Sequence, residues 1–108
     1  FYRGFIYNYQ GDYDLAIQDY SRYLAVQQSD ANAYVNRAYS FARKLAYSAA
    51  LSDLDRASEL KPNEAVIYRK KGIIYSSQGY CQRAKENYQK ACELGDSLSC
   101  ELKCEKED

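Results

Sequence analysis

Apolar residues return at three- and four-residue steps along the chain, as in Tyr13, Ala16, Ile17, Tyr20 and Leu24. That period marks one face of an amphipathic α-helix. Turn residues cut the pattern into segments. Residues 1–9 read as the end of a first helix, Gln10-Gly11-Asp12 as a turn and residues 13–27 as a second helix. Ser29 or Asp30 is placed to cap a third helix over residues 31–44, accepting from its free N–H groups. The turn that follows, Lys44-Leu45-Ala46, lacks glycine and is expected to be tighter or more helical than the others. Helices are predicted over 48–60, 65–78 and 81–94, with Pro62 and Asn63 stopping one and capping the next, and Gly79 as a joint. After Gly95-Asp96-Ser97, residues 98–105 read as a short helix, with Leu98 and Leu102 covering the preceding hairpin.

The segments are copies of one another at a spacing of 34 residues. Tyr34 maps onto Tyr68, Ala38 onto Gly72, Phe41 onto Tyr75, Ala50 onto Ala84, Leu54 onto Tyr88 and Ala57 onto Ala91. In the other direction Ala38 meets Gly4, Phe41 meets Tyr7, Tyr47 meets Tyr13, Ala50 meets Ala16 and Leu54 meets Tyr20. Matched residue classes at this period predict a stack of supersecondary units. Gly4 is expected where two helices approach closely. Ala16, Ala50 and Ala84 share one second-helix position, where a larger side chain would force paired helices apart. Tyr23 replaces the small residue usual at its position, so the first repeat is expected to pack less tightly.

Tyr34, Ala38, Phe41, Ala50, Leu54, Ala57 and Pro62 resemble the signature of the tetratricopeptide repeat, and Tyr68, Gly72, Tyr75, Ala84, Tyr88 and Ala91 repeat it. The resemblance implies an all-α fold: a right-handed helical-hairpin solenoid of about three repeats and a short C-terminal capping helix. The expected divisions are 1–30 for a truncated first repeat, 31–64 and 65–97 for the next two, and 98–108 for the cap and polar tail. Phe1 falls inside a helix by this register and the chain holds no Met, so a piece of a longer protein is expected.

Composition narrows the chemistry. Fifteen Lys plus Arg balance fifteen Asp plus Glu, which argues against nucleic acid or an anionic membrane as partner. No run approaches the roughly 18 apolar residues of a membrane-spanning helix, and no signal-like start is visible. There is no His, hence no usual general base, and no Gly-rich phosphate loop. The expectation is a non-enzyme without cofactors. Thirteen Tyr and three Phe stand beside no Trp, and the periodic tyrosines are read as core.

All four cysteines, Cys81, Cys92, Cys100 and Cys104, lie in the last quarter, and four allow three full pairings. Cys92 ends one helix and Cys100 opens the antiparallel next, across the Gly95 turn. The stretch from Ala91 to Cys100 is similar to the junction of Sel-one-like, cysteine-rich bacterial relatives, which implies a Cys92–Cys100 bridge. Four reduced thiols in a cytosolic protein is the standing alternative. A metal shared by Cys100 and Cys104 is less favoured, without His or a close CxxC. The spacing hints at an oxidising compartment, with cytoplasm and bacterial periplasm both left open.

In the tetratricopeptide resemblance the first helix of each repeat lines a concave face. The residues it places there are Phe1, Phe5, Asn8 and Tyr9, then Asn32, Val35, Asn36, Tyr39 and Arg43, then Arg69, Lys70, Ile73 and Ser77. Aromatic, amide and basic groups of this kind suit an extended peptide or a partner helix, with Arg69 and Lys70 taking a carboxylate. Some three-repeat members clamp the C-terminal carboxylates of heat-shock chaperones with five Lys, Asn and Arg side chains. Here Asn36 matches and Lys70 stands for the Arg, but Phe1, Phe5 and Val66 hold the other places, so that clamp is not expected. A structural alternative has the N-terminal edge, with Phe1 and Phe5, stacking on a second copy or on upstream repeats.

Overall fold

The computed structural model describes residues 2–104, and within them every regular element is helical. The helices are α1 (Tyr2–Gln10), α2 (Tyr13–Val26), α3 (Ala31–Arg43), α4 (Tyr47–Leu60), α5 (Ala65–Gln78), α6 (Cys81–Glu93) and α7 (Ser97–Glu101). Phe1 and the tail residues Glu105, Lys106, Glu107 and Asp108 lie outside the described residues. The chain divides into two compact units, Phe1–Leu60 with α1–α4 and Lys61–Asp108 with α5–α7. No described helix is long and apolar enough to cross a membrane.

Each hairpin buries the same register positions. Ala16, Ala50 and Ala84 are fully buried, and Tyr20, Leu54 and Tyr88 lie at 0%, 1% and 5% exposure one turn later. Burying each of these larger side chains stabilises by about 2 kcal/mol. The space opposite is kept free by small residues. A Cβ built on Gly4 would sit 3.1 Å from the Tyr20 ring, and one on Gly72 only 2.6 Å from the Tyr88 ring. Hence glycine in α1 and α5 faces a tyrosine in α2 and α6, whereas α3 carries Ala38 at the glycine position and α4 carries Leu54 at the tyrosine position.

Four chain reversals share one geometry. Gly11, Leu45, Gly79 and Gly95 all have positive φ, at 86°, 64°, 83° and 106°. At each, the N–H of that residue donates three residues back and the next N–H five residues back: Gly11 to Asn8 and Asp12 to Tyr7, Leu45 to Ala42 and Ala46 to Phe41. Gly79 to Ser76 and Tyr80 to Tyr75 repeat this, as do Gly95 to Cys92 and Asp96 to Ala91. These bonds satisfy carbonyls left open at a helix end. The turn at Leu45 is therefore not tighter or more helical than the others. Backbone hydrogen bonding imposes the glycine geometry on a leucine.

Capping meets expectation at one helix and departs from it at another. Asp30 does cap α3, accepting from Ala33 N–H at 3.2 Å, and its second oxygen accepts from Tyr23 Oη at 2.6 Å. Tyr23 thus anchors the entry to α3. Asn63 is not the cap of α5; Glu64 holds that position, without a side-chain cap bond.

Two ion pairs recur at the repeat spacing. Arg3 Nε and Nη2 donate to Asp19 Oδ2 and Oδ1 at 2.6 and 2.9 Å. Arg37 Nε and Nη2 donate to Asp53 Oδ2 and Oδ1 at 2.8 and 2.7 Å. Each joins the first helix of a hairpin to its second, and both carboxylates are buried. In the third hairpin the same positions hold Lys71 and Asn87.

All four cysteines are oxidised. Cys92 pairs with Cys100, Cα atoms 4.8 Å apart, and Cys81 pairs with Cys104 at 5.2 Å. The predicted helix over 98–105 is shorter than expected. It begins at Ser97, stops at Glu101, and Leu102 is extended at φ −75°, ψ 143°. Leu98 is 51% exposed and does not cover the hairpin. Cys104 does so instead, in a cluster with Ala84 and Tyr88 edged by Tyr75, Cys81 and Leu102.

Candidate functional site

The expected partner-facing residues fall on helical stripes. On α3, Asn32, Asn36, Tyr39 and Arg43 follow one another at three- and four-residue steps, with Val35 beside Asn36; on α5, Lys70 and Ile73 are three apart, with Arg69 beside Lys70. One register position on these stripes is apolar and unburied in every repeat. Phe5 is 52% exposed, Tyr39 45% and Ile73 47%, each 34 residues from the next. Core packing explains none of the three.

Within the first unit, Tyr39 and Arg43 are organised by Tyr13 at the start of α2. The Tyr13 and Tyr39 rings meet edge-to-face with centroids 6.0 Å apart. The Arg43 guanidinium lies 5.7 Å from the Tyr13 centroid, and its Nε donates to Tyr13 Oη at 3.2 Å. Burial, then the hydrogen bond its hydroxyl donates to Tyr13, raises the pKa of the Tyr39 hydroxyl. Tyr9 stands 88% exposed on α1. Asn32 is exposed, while Val35 and Asn36 are half-buried.

Asn8 has a different task from the one expected. Its Nδ2 donates to Asn36 C=O at 3.2 Å and its Oδ1 accepts from Ser40 Oγ, tying α1 to α3. It is a strut, not a free contact.

Within the second unit, Arg69 is half-buried with its Nε 3.2 Å from Asp96 Oδ2, at the N-cap of α7. Its charge is already met. Lys70 is half-buried and makes no ion pair among the described residues. Burial, and secondarily the neighbouring Arg69, lowers the pKa of its ammonium. Ser77 returns its hydroxyl to Ile73 C=O at 3.0 Å.

The sequence reading missed the Arg–Asp pairs and the Arg69–Asp96 contact. Their signal was present as charges repeating at 3 and 37 and at 19 and 53, sixteen residues apart within each pair.

No family model matches the chain. It is 36% identical over 92 residues to RNA polymerase II-associated protein 3 of Xenopus tropicalis, covering 85% of this chain and 14% of that protein. It is 30% identical over 93 residues to small glutamine-rich tetratricopeptide repeat-containing protein 2 of Saccharomyces cerevisiae, covering 85% of this chain and 27% of that one. The chain thus spans a minor part of the curated relatives it matches. Among solved structures, the first tetratricopeptide domain of Spaghetti (RPAP3), bound to the HSP90 peptide SRMEEVD, superposes with a TM-score of 0.82. It is 27% identical and the match covers 86% of this chain and 74% of that one. The helical-hairpin fold is that of tetratricopeptide-repeat structures.

Proposed function

We propose that this chain, similar in sequence and fold to tetratricopeptide-repeat proteins, is a non-catalytic module that binds an extended peptide or partner helix along its first helices. The observation that carries this is the unburied apolar position recurring as Phe5, Tyr39 and Ile73. Three large side chains held in water at one register, without a packing reason, suit the anchors of a partner. Asn32, Val35, Asn36, Tyr39 and Arg43 on α3, and Lys70 and Ile73 on α5, are the contact residues of this reading. Arg69 serves it indirectly, because Asp96 occupies its charge. Lys70 is the cation open to a partner carboxylate: its half-buried ammonium is poorly solvated, and an incoming anion offsets that.

The relative solved with a peptide holds SRMEEVD. In this chain the acidic-tail clamp is represented by Asn36 and Lys70 alone, so the favoured ligand is one recognised by apolar anchors with a single carboxylate. The cysteine spacing and the Cys92–Cys100 bridge support a Sel-one-like junction at the C-terminal end.

Affinity capture from a native extract tests the site, comparing wild type with Tyr39→Ser/Ile73→Ser and with Lys70→Glu. Both variants alter side chains outside the buried core. A partner captured by wild type and lost by both supports the reading; equal recovery overturns it.

A second reading is favoured by α1 itself, where Phe5, Ile6 and Tyr9 are 52%, 50% and 88% exposed. This edge suits stacking on a second copy. Light scattering that shows a monomer throughout the micromolar range dismisses it.

A further inference from the structure

The two disulfides differ in what they hold. Cys92 and Cys100 flank a turn that the backbone already closes, through Gly95 N–H to Cys92 C=O and Asp96 N–H to Ala91 C=O, both 3.0 Å. The same bonds close the turns at Gly11, Leu45 and Gly79, where no cysteine stands. Asp96 is also fixed from outside the turn by Arg69. Losing this bridge leaves the turn its own support.

Cys81–Cys104 holds a segment that nothing comparable supports. Cys81 and Cys92 are eleven residues apart on α6, roughly 16 Å along its axis. The chain returning beside α6 starts at Cys100, pinned opposite Cys92, and must bring Cys104 to Cys81 in four residues. Four helical residues cover only about 6 Å, whereas four extended ones cover about 13 Å. The bridge and a continuing α7 therefore exclude one another. The observed backbone agrees, since Leu102 is extended and the last helical-type bond is Leu102 N–H to Ser99 C=O at 3.3 Å.

The sequence of this segment favours the helix. Leu98, Glu101, Leu102 and Lys103 are straight-chain residues of high helix propensity, and Leu98 and Leu102 stand one turn apart. With the bridge closed, Leu98 is 51% exposed while Cys104 is buried to 7% against Ala84 and Tyr88. An open cleft of about 700 Å³, lined by Lys85, Gln89, Leu102 and Lys103 among others, remains between α6 and the segment. It gives the segment room to repack.

We propose that Cys81–Cys104 is a redox latch. Closed, it draws residues 102–104 out of helix and covers Tyr88 with Cys104. Opened, it lets α7 run on, and the Leu98–Leu102 stripe takes over as the cover. Opening consumes one equivalent of a dithiol. Its thiolate attacks one sulfur and its second sulfur closes the reagent's own disulfide. Two electrons and two protons end as thiols on Cys81 and Cys104.

Amide hydrogen exchange on the full chain tests this, comparing oxidised wild type with Cys81→Ala/Cys104→Ala and with Cys92→Ala/Cys100→Ala. Removing the latch is expected to slow exchange at Lys103 and residue 104 at least tenfold, as helical acceptors replace water. Removing Cys92–Cys100 alone leaves those rates unchanged. Unchanged or faster exchange without the latch overturns the proposal, and so does the same slowing on losing the other bridge. Should the latch variant fail to fold, Cys92→Ala/Cys100→Ala, which keeps Cys81–Cys104 alone, is compared before and after reduction with dithiothreitol under native conditions: slower exchange on reduction supports the proposal, and unchanged or faster exchange overturns it.

Discussion

Arg37 grips Asp53 with two parallel hydrogen bonds of 2.8 and 2.7 Å, and the carboxylate beneath it is 5% exposed. Such a pair specifies how α3 lies on α4, and removing one partner strands the other's charge. Asp53→Ala is expected to lower unfolding free energy by about 3 kcal/mol in urea titration. The equivalent loss at Asp19 is smaller, because its Arg3 partner is 66% exposed and water replaces the contact.

Acid acts on the Arg3–Asp19 pair. The Arg3 hydrogen bond holds the Asp19 carboxyl below its ordinary range, against the opposing effect of its burial. In the unfolded chain it titrates near pH 4. Between the two values the unfolded state binds the extra proton, so stability is complete above about pH 4 and declines as pH falls towards the folded value. Asp19→Asn is expected to flatten that part of a stability–pH profile measured by thermal melting.

Leu45 sits at φ 64°, with 70% of its surface exposed. A side chain in this region crowds the following carbonyl, and glycine does not. Leu45→Gly gives up almost no burial and is expected to raise stability by about 1 kcal/mol, seen as a higher melting temperature.

Gly72 and Gly4 separate under the same substitution. Alanine normally favours a helix interior over glycine by about 1 kcal/mol. At Gly4 the nearest ring atoms would be 3.1 Å from the new methyl, so Gly4→Ala is expected to be near neutral. At Gly72 the distance is 2.6 Å to a Tyr88 ring at 5% exposure. Gly72→Ala is expected to destabilise by about 1–2 kcal/mol net of propensity.

The sequence revealed the helices and their spacing because both follow from apolar periodicity, which Ala16, Tyr20, Ala50 and Leu54 carry without interruption. It could not reveal what depends on partners far apart in the chain. Asp19 and Asp53 read as ordinary polar positions until α1 and α3 bring arginines over them. Cys81–Cys104 was one pairing among several, and its closure shortened a helix that local propensity favours. Leu45 concealed its turn because nothing in a leucine suggests a left-handed backbone. The α3 residues of the proposed site were legible in their helical register from the repeat spacing. Asn8 and Arg69 were not, since only folding shows that Ser40 and Asp96 have engaged them.

The Arg–Asp pair appears in the first two hairpins and gives way to Lys71 and Asn87 in the third, where two covalent bonds stand instead. The two halves of the molecule thus have different weaknesses. A thiol reagent acts on α5–α7 alone, where all four cysteines stand, and leaves the Arg–Asp pairs of α1–α4 untouched. Whether the protein looks robust or fragile in the laboratory therefore depends on which reagent is added first.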